Sequence, residues 1–135
     1  MPKKPKHSII IEEASLELVP QKFWNHVSCK HVESRFGVQP SKQLLDDNFH
    51  HAMITKLPNP EKRGRPDIVH IALLDITSTP AYFDGLVQVY IHTVGNSTIR
   101  INGGVRLPRT FQRFSGVISK ILSNETDEQE KRLFE

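Results

Sequence analysis

The chain has 135 residues, of which 37% are hydrophobic, 24% charged and 7% aromatic, and its formal net charge is +3. This composition is typical of one soluble globular domain and argues against the disordered and fibrous classes. The single cysteine, Cys29, excludes an internal disulfide, and no apolar run approaches the roughly 20 residues of a membrane helix, so we expect a cytoplasmic protein without a membrane partner.

The charges are unevenly placed along the chain. The last twelve positions, 124–135, hold five acidic and two basic residues, which leaves 16 basic and 10 acidic residues in the rest. Such an excess favours a polyanionic partner, because Lys and Arg contacts to phosphates release condensed counterions. We therefore divide the chain into a basic leader over 1–7, a single domain over 8–123 and an acidic tail over 124–135.

The first half of the domain predicts one strand and two helices. The β-branched run Ser8–Glu12 predicts a buried strand. Pro20 predicts the start of a helix, and Gly37 is a natural stop for it. The stretch Leu44–Leu57 has loose helical spacing and predicts a short strand or turn followed by a helix.

A loop and a further helix come next. The segment 57–65, "LPNPEKRGR", combines Pro, Asn, Gly and cations, which is typical of a loop. Pro66 suits the first position of a helix, and the pattern predicts that helix over Pro66–Thr77. Apolar residues on two flanks predict burial over much of its circumference. These are Ile68, Ile71 and Ala72 on one flank and Val69, Leu73 and Ile76 on the other.

The remaining elements are a hairpin and a helix. Leu86–Thr93 alternates as a strand does, Gly95 and Asn96 form a turn, and Thr98–Ile101 returns. Pro108 predicts the start of a last helix with a strong apolar stripe. The stripe contains Phe111, Phe114, Val117, Ile118, Ile121 and Leu122.

The segment "RINGGVRLPRTFQRF" carries the most informative cluster of charges. Arg106 precedes Pro108, and a helix beginning at Pro108 places Arg109 and Arg113 four residues apart on one face. Free N–H groups at a helix start attract phosphate, and guanidinium groups add bidentate contacts. The alternative is an ordinary solvated helix face.

Asp67, two residues after Arg65, also has two interpretations. Its carboxylate can hold an arginine by charge-assisted hydrogen bonds and so fix it for recognition. Alternatively it only complements the positive end of the helix.

The sequence predicts no metal site and no nucleotide-binding or nucleophile motif. His26 with His31, and His50 with His51, lack the carboxylate or thiolate pattern of a zinc site, so no metal is expected. His70 falls in a core element and is predicted to be structural, as is His92. The sequence contains no phosphate-binding P-loop, dinucleotide fingerprint or nucleophile elbow.

Five segments in order resemble one known family. They are "EEASLELVP", "LLDDNFHHAM", "RGRPDIVHIALL", "LVQVYIHT" and "VRLPRTFQRFSG". The chain resembles, over nearly its whole length, the archaeal branch of the nucleolar essential protein family of SPOUT-class methyltransferases.

The resemblance implies a function and a set of residues. It implies an α/β fold, namely a partial SPOUT (α/β-knot) methyltransferase domain, in a protein that works as a homodimer. The implied reaction uses S-adenosylmethionine to methylate a ring nitrogen of a pseudouridine, and the implied substrate is a hairpin of small-subunit rRNA. By the same resemblance, four arginines are expected to bind RNA and Asp67 to steady one of them. The four are Arg65, Arg106, Arg109 and Arg113.

Two departures from the family leave questions open. Many members have an acid where this chain has Ser78, so the catalytic residue is unknown, with Asp75 as one candidate proton acceptor. The family's cofactor loops follow the helix at Phe111–Leu122, so we expect no cofactor-binding residue in this chain and the C-terminal knot to be missing. The alternative function is a non-catalytic rRNA-binding factor in ribosome assembly.

Overall fold

A computed structural model describes residues 5–101 and 106–123, and the predicted acidic tail lies outside them. The fold is mixed α/β. Its strands are β1 (His7–Ala14), β2 (Val87–Thr93) and β3 (Thr98–Ile101). Its helices are α1 (Val27–Phe36), α2 (Asp47–Ile54), α3 (Pro66–Thr77), α4 (Pro80–Phe83) and α5 (Phe111–Leu122). No helix within these ranges is long and apolar enough to cross a membrane.

The three strands form one sheet with β2 in the centre. β1 runs parallel to β2, with Ile9 opposite Val89, and β3 runs antiparallel to β2, with Ile101 also opposite Val89. A parallel pair needs a long crossover, and here that crossover contains α1 to α4. Only the tight turn between β2 and β3 connects neighbouring strands directly.

The main core lies between the sheet and two helices, α3 and α5. Alternate residues of β2 and β3 point to this side, and Leu73 of α3 and Phe114 of α5 pack against them without solvent exposure. The sheet residues in the core include Val89, Ile91, Ile99 and Ile101. Helices α3 and α5 are therefore neighbours on one layer.

A second, smaller core joins α1 to α2. Cys29 of α1 is buried against Leu45, Met53 and Ile54, with Trp24 at its edge. The cysteine is free, and its thiol donates to the carbonyl of Phe23 at 3.4 Å.

The structure confirms the loop, the helix at Pro66–Thr77 and the hairpin, but it corrects the expected burial in two places. β1 is present, yet it is an edge strand in the described part of the chain, and 57% of Ile10 is exposed. On α3 the flank with Ile68 and Ile71 is exposed at 53% and 59%. Only the Val69 and Leu73 flank faces the core, because the sheet covers the helix from one side.

Two helix starts were also predicted wrongly. After Pro20 the chain makes only a 3-10 turn, and α1 begins at Val27, because His26 Nδ1 accepts a hydrogen bond from the Ser28 N–H and caps the helix there. The predicted stop is confirmed, since Gly37 ends α1 with φ +72°. The second is the start of α5, which lies at Phe111 and not at Pro108.

Candidate nucleic-acid interface

An arginine at the start of α3 is held in a fixed orientation. Arg65 precedes the helix, and its Nε and Nη2 donate to Oδ1 and Oδ2 of Asp67 at 3.0 and 3.1 Å. This hydrogen bonding lowers the pKa of Asp67, so the carboxylate is ionised at neutral pH. The side chains remain 52% and 36% exposed. A guanidinium group is therefore both steadied and open to solvent.

The backbone at Arg65 is fixed by two neighbouring segments. Its N–H donates to Ser15 Oγ at 2.9 Å, and the preceding carbonyl, of Gly64, accepts from the Asp47 N–H at 2.7 Å. Gly64 has φ +78°, and a Cβ there would lie 2.4 Å from Ile54 Cδ1 and 3.0 Å from the backbone nitrogen of Asp47. Only glycine fits this close approach, which presses the loop against α2.

The start of α5 differs from the predicted one. The helix begins at Phe111, because the Thr110 hydroxyl accepts from the Arg113 N–H at 3.3 Å and caps it. Arg113 is the third helical residue, whereas Arg109 lies before the cap and outside the helix. The expected helical face with Arg109 and Arg113 four residues apart is therefore wrong.

A buried histidine fastens this segment to α3. His70 Nε2 donates to the Pro108 carbonyl at 2.8 Å, and its ring stacks on Phe114 with 4.5 Å between centroids. The prediction that His70 is structural is confirmed. Because His70 lies one turn into α3, the segment that carries Arg109 runs beside the start of that helix.

The four arginines differ in their partners. Arg65 is paired with Asp67, whereas the side chains of Arg106, Arg109 and Arg113 make no hydrogen bond or ion pair within residues 5–101 and 106–123. All four are exposed. We use the name arginine face for this set of four exposed residues; the contact of His70 with Pro108 brings the segment of Arg109 beside the helix that Arg65 precedes. Three unpaired guanidinium groups near two helix starts have the chemistry to bind phosphates.

A nearby arginine has a different role. Arg63 lies 3.5 Å from Glu17 Oε1, and both side chains are mostly buried. Burial raises the pKa of Glu17, and the charge of Arg63 opposes that effect. Arg63 therefore anchors the loop and is not available to a ligand.

A cluster of buried polar side chains, which the sequence did not reveal, lies between α1 and α2. Gln43 Nε2 donates to the carbonyls of Cys29 and Val38 at 2.9 and 3.0 Å. His50 Nε2 donates to Gln43 Oε1 at 2.9 Å, and His50 Nδ1 accepts from the Asp46 N–H at 3.0 Å. We call Gln43, Asp46 and His50 the polar anchor. It joins α1, α2 and the segment between them.

The polar anchor requires a neutral histidine. Burial lowers the pKa of His50 to about 4, so Nδ1 is free to accept a hydrogen bond at neutral pH. The only sequence signal was Asp46 before a helix, where it caps α2 by accepting from the Asn48 N–H at 2.9 Å.

The two residues discussed for proton transfer lie at the far end of α3. Ser78 Oγ donates to the Leu74 carbonyl at 2.6 Å, and Asp75 is exposed on the last turn. Eight residues of helix separate Asp75 from Asp67, which is about 12 Å along the axis. Among the described residues, no group of three or more His, Cys, Asp or Glu is placed to hold a metal ion.

Comparison with known proteins identifies the family. The family described as EMG1/NEP1 methyltransferase matches residues 9–135. This chain belongs to that family. A ribosomal RNA small subunit methyltransferase Nep1 from Aeropyrum pernix is 38% identical over 117 residues, which is 87% of this chain and 52% of the relative. The protein of the same name from Pyrococcus furiosus is 34% identical over 130 residues, which is 96% of this chain and 58% of the relative.

A solved structure shares the fold. The crystal structure of Archaeoglobus fulgidus Nep1 bound to S-adenosylhomocysteine matches with a TM-score of 0.85 and 37% identity, over 98% of this chain and 60% of that one. The chain thus spans about half the length of the curated relatives it matches.

Proposed function

We propose that this chain carries the rRNA-binding part of a homodimeric ribosome-biogenesis enzyme. The enzyme methylates a ring nitrogen of a pseudouridine in small-subunit rRNA with S-adenosylmethionine, and the knot of its SPOUT domain lies outside this chain. The observation that carries the RNA-binding part is the arginine face, in which one guanidinium group is held by Asp67 and three are unpaired among the described residues. Family membership supports the reaction.

In this function the arginine face binds the backbone of an rRNA hairpin. Arg65 presents a planar guanidinium group whose direction is set by Asp67, so less side-chain entropy is lost on binding. The unpaired arginines contribute charge and set the register of the hairpin on α5. The target base is then unstacked toward the methyl donor.

The described residues do not fit S-adenosylmethionine. The cavity beside α5 has Gln43 and His50 among its polar lining groups, and both are saturated by hydrogen bonds within the protein. Few groups remain for the adenine, ribose, amino and carboxylate parts of the donor. We assign the donor site to residues outside the described part of the chain, and we derive no step of the transfer from this chain.

Binding of an rRNA hairpin tests the proposal. We expect Arg113→Ala to weaken binding about tenfold, because an unpaired guanidinium group at a helix start is lost. Lys56→Ala is the matched control. Lys56 is an exposed cation that follows the C-terminal end of α2, whereas the N-terminal end of α2 contacts the loop of Arg65. Equal affinity of Arg113→Ala and the unchanged chain, measured by fluorescence anisotropy, would contradict the proposal.

The alternative is a non-catalytic rRNA-binding assembly factor that retains the arginine face. Calorimetry with S-adenosylmethionine distinguishes the possibilities. We expect hairpin binding without donor binding. Donor binding in the micromolar range would contradict our assignment of the donor site.

A further inference from the structure

A cavity of about 390 Å³ lies between α1, α2 and α5. Phe36, Phe49 and Phe111 contribute three aromatic rings to its lining, and the first two meet edge to face with 5.5 Å between centroids. This volume is in the range of small-ligand sites, and aromatic walls with a few polar groups are typical of them.

The polar groups of the cavity fall into two kinds. Gln43 and His50 are fully used by the polar anchor, so they shape the wall but do not bind a ligand. Asp46 uses Oδ1 to cap α2, and its Oδ2 has no partner in the described part of the chain. The Gln112 amide is likewise unpaired there. Ser119 Oγ donates to the Lys42 carbonyl, so one carboxylate oxygen, one amide and the Ser115 hydroxyl remain for recognition.

The cavity borders the arginine face on two sides. Gly116 lines it, and Arg113 is three residues earlier on α5, so the two positions are neighbours on the helix surface. On the other side burial raises the pKa of Asp46. The hydrogen bond from the Asn48 N–H and the charge of Arg65 oppose that effect, whereas the charges of Asp67 and Asp47 add to it. A polyanion held by these arginines would place its bases near the opening.

We propose that this cavity binds one unstacked nucleobase that carries an N–H donor on its edge, from the RNA that the arginine face holds. The ring stacks against the phenylalanines, and its N–H edge donates to Asp46, because a carboxylate accepts from base donors and aromatic rings bind splayed bases. The inference rests on the proposed function for the identity of the ligand as RNA. It adds a base-reading subsite that is separate from the methylated nucleotide.

Gly116 offers a way to close the cavity without disturbing the fold. It is helical, and a Cβ added there meets no atom within 4 Å. Gly116→Leu therefore extends a side chain into the opening while improving helix propensity. Gly116→Ala is the matched control, since it makes the same backbone change and leaves the cavity open.

We expect Gly116→Leu to weaken binding of the rRNA hairpin about tenfold, the loss expected for one stacked base. Its salt dependence stays unchanged because no phosphate contact is lost, and Gly116→Ala binds as the unchanged chain does. Equal affinity for Gly116→Leu would overturn the cavity proposal and leave the arginine face intact. A flattened salt dependence in Gly116→Leu would also overturn it.

A titration with guanosine 5′-monophosphate separates this proposal from the proposed function. We expect millimolar binding that shifts the NMR signals of the Gln112 side chain and the Ser115 amide, and that disappears in Gly116→Leu. Nucleotide binding without hairpin binding would refute the proposed function and retain the cavity. No shift at these groups would refute the cavity even if the hairpin binds.

Discussion

The polar anchor and the arginine face use charged and polar groups in opposite ways. In the polar anchor, Gln43 and His50 are buried and every strong donor or acceptor of their side chains is used. In the arginine face the side chains are exposed, and only Arg65 has a partner among the described residues. The first region holds α1 to α2, and the second is available to a ligand.

This difference separates stability from binding. Breaking a buried, saturated network leaves polar groups without partners and is costly, whereas exposed ion pairs contribute little to stability. Changes at Gln43 and His50 should therefore unfold the protein before they alter recognition. Changes in the arginine face should alter recognition without unfolding it.

The largest expected effect lies at Gly64, where α2 meets the loop that carries Arg65. We expect Gly64→Ala to lower the free energy of unfolding by about 3 kcal/mol, from a left-handed φ and close contacts with Ile54 and the backbone of Asp47. Gly37→Ala is the control, because it has a similar φ of +72° with nothing within 4 Å, and should cost only about 1 kcal/mol. Equal losses in urea denaturation would show that the packing at Gly64 is unimportant.

The next effect is a pH dependence from the polar anchor. The pKa of His50 is lowered from 6.5 to about 4, so between these values the unfolded chain binds a proton that the folded one does not. Stability should be fully present above pH 6.5 and fall by about 2 kcal/mol as the pH falls to 4, because protonation breaks the bond from Asp46.

His50→Gln should remove this pH dependence, while His51→Gln, at an exposed neighbouring position, should retain it. Thermal unfolding of the three proteins across this pH range measures the difference. A pH dependence that persists unchanged in His50→Gln would assign it to another group.

The smallest effect on stability is expected at Asp67. Asp67→Ala should leave the midpoint of thermal unfolding nearly unchanged, because its pair with Arg65 is exposed. Hairpin affinity should fall about fivefold, since Arg65 becomes free to rotate. Asp75→Ala, on the same helix about 12 Å away, should change neither quantity. If Asp67→Ala unfolded at a lower temperature but bound the hairpin with normal affinity, Asp67 would contribute to stability and not to recognition.

Local signals predicted much of the fold. The bounds of α3 follow from Pro66 and the apolar spacing, and the hydrogen bond expected between Asp67 and an arginine spans only two residues. The predicted start of α5 was wrong, because the cap by Thr110 overrides the preference of Pro108 for a first helical position. Thr110 itself was a local signal for the correct start.

The features that the sequence did not predict depend on contacts between segments that are distant along the chain. The exposure of Ile10 and Ile68 depends on which surfaces the sheet covers, and the hydrophobic pattern carries no such information. Gln43 bonds to carbonyls of two other segments, at Cys29 and Val38, so the polar anchor exists only after the chain has folded. The placement of Arg109 beside α3 likewise required the contact of His70 with Pro108.

The most direct test of the account is the salt dependence of rRNA hairpin binding by a variant with Ala at positions 106, 109 and 113. We predict that its logarithmic slope against salt is smaller than that of the unchanged chain by roughly 2 to 3, about one for each lost phosphate contact. An identical slope would contradict the claim that the arginine face binds the RNA backbone.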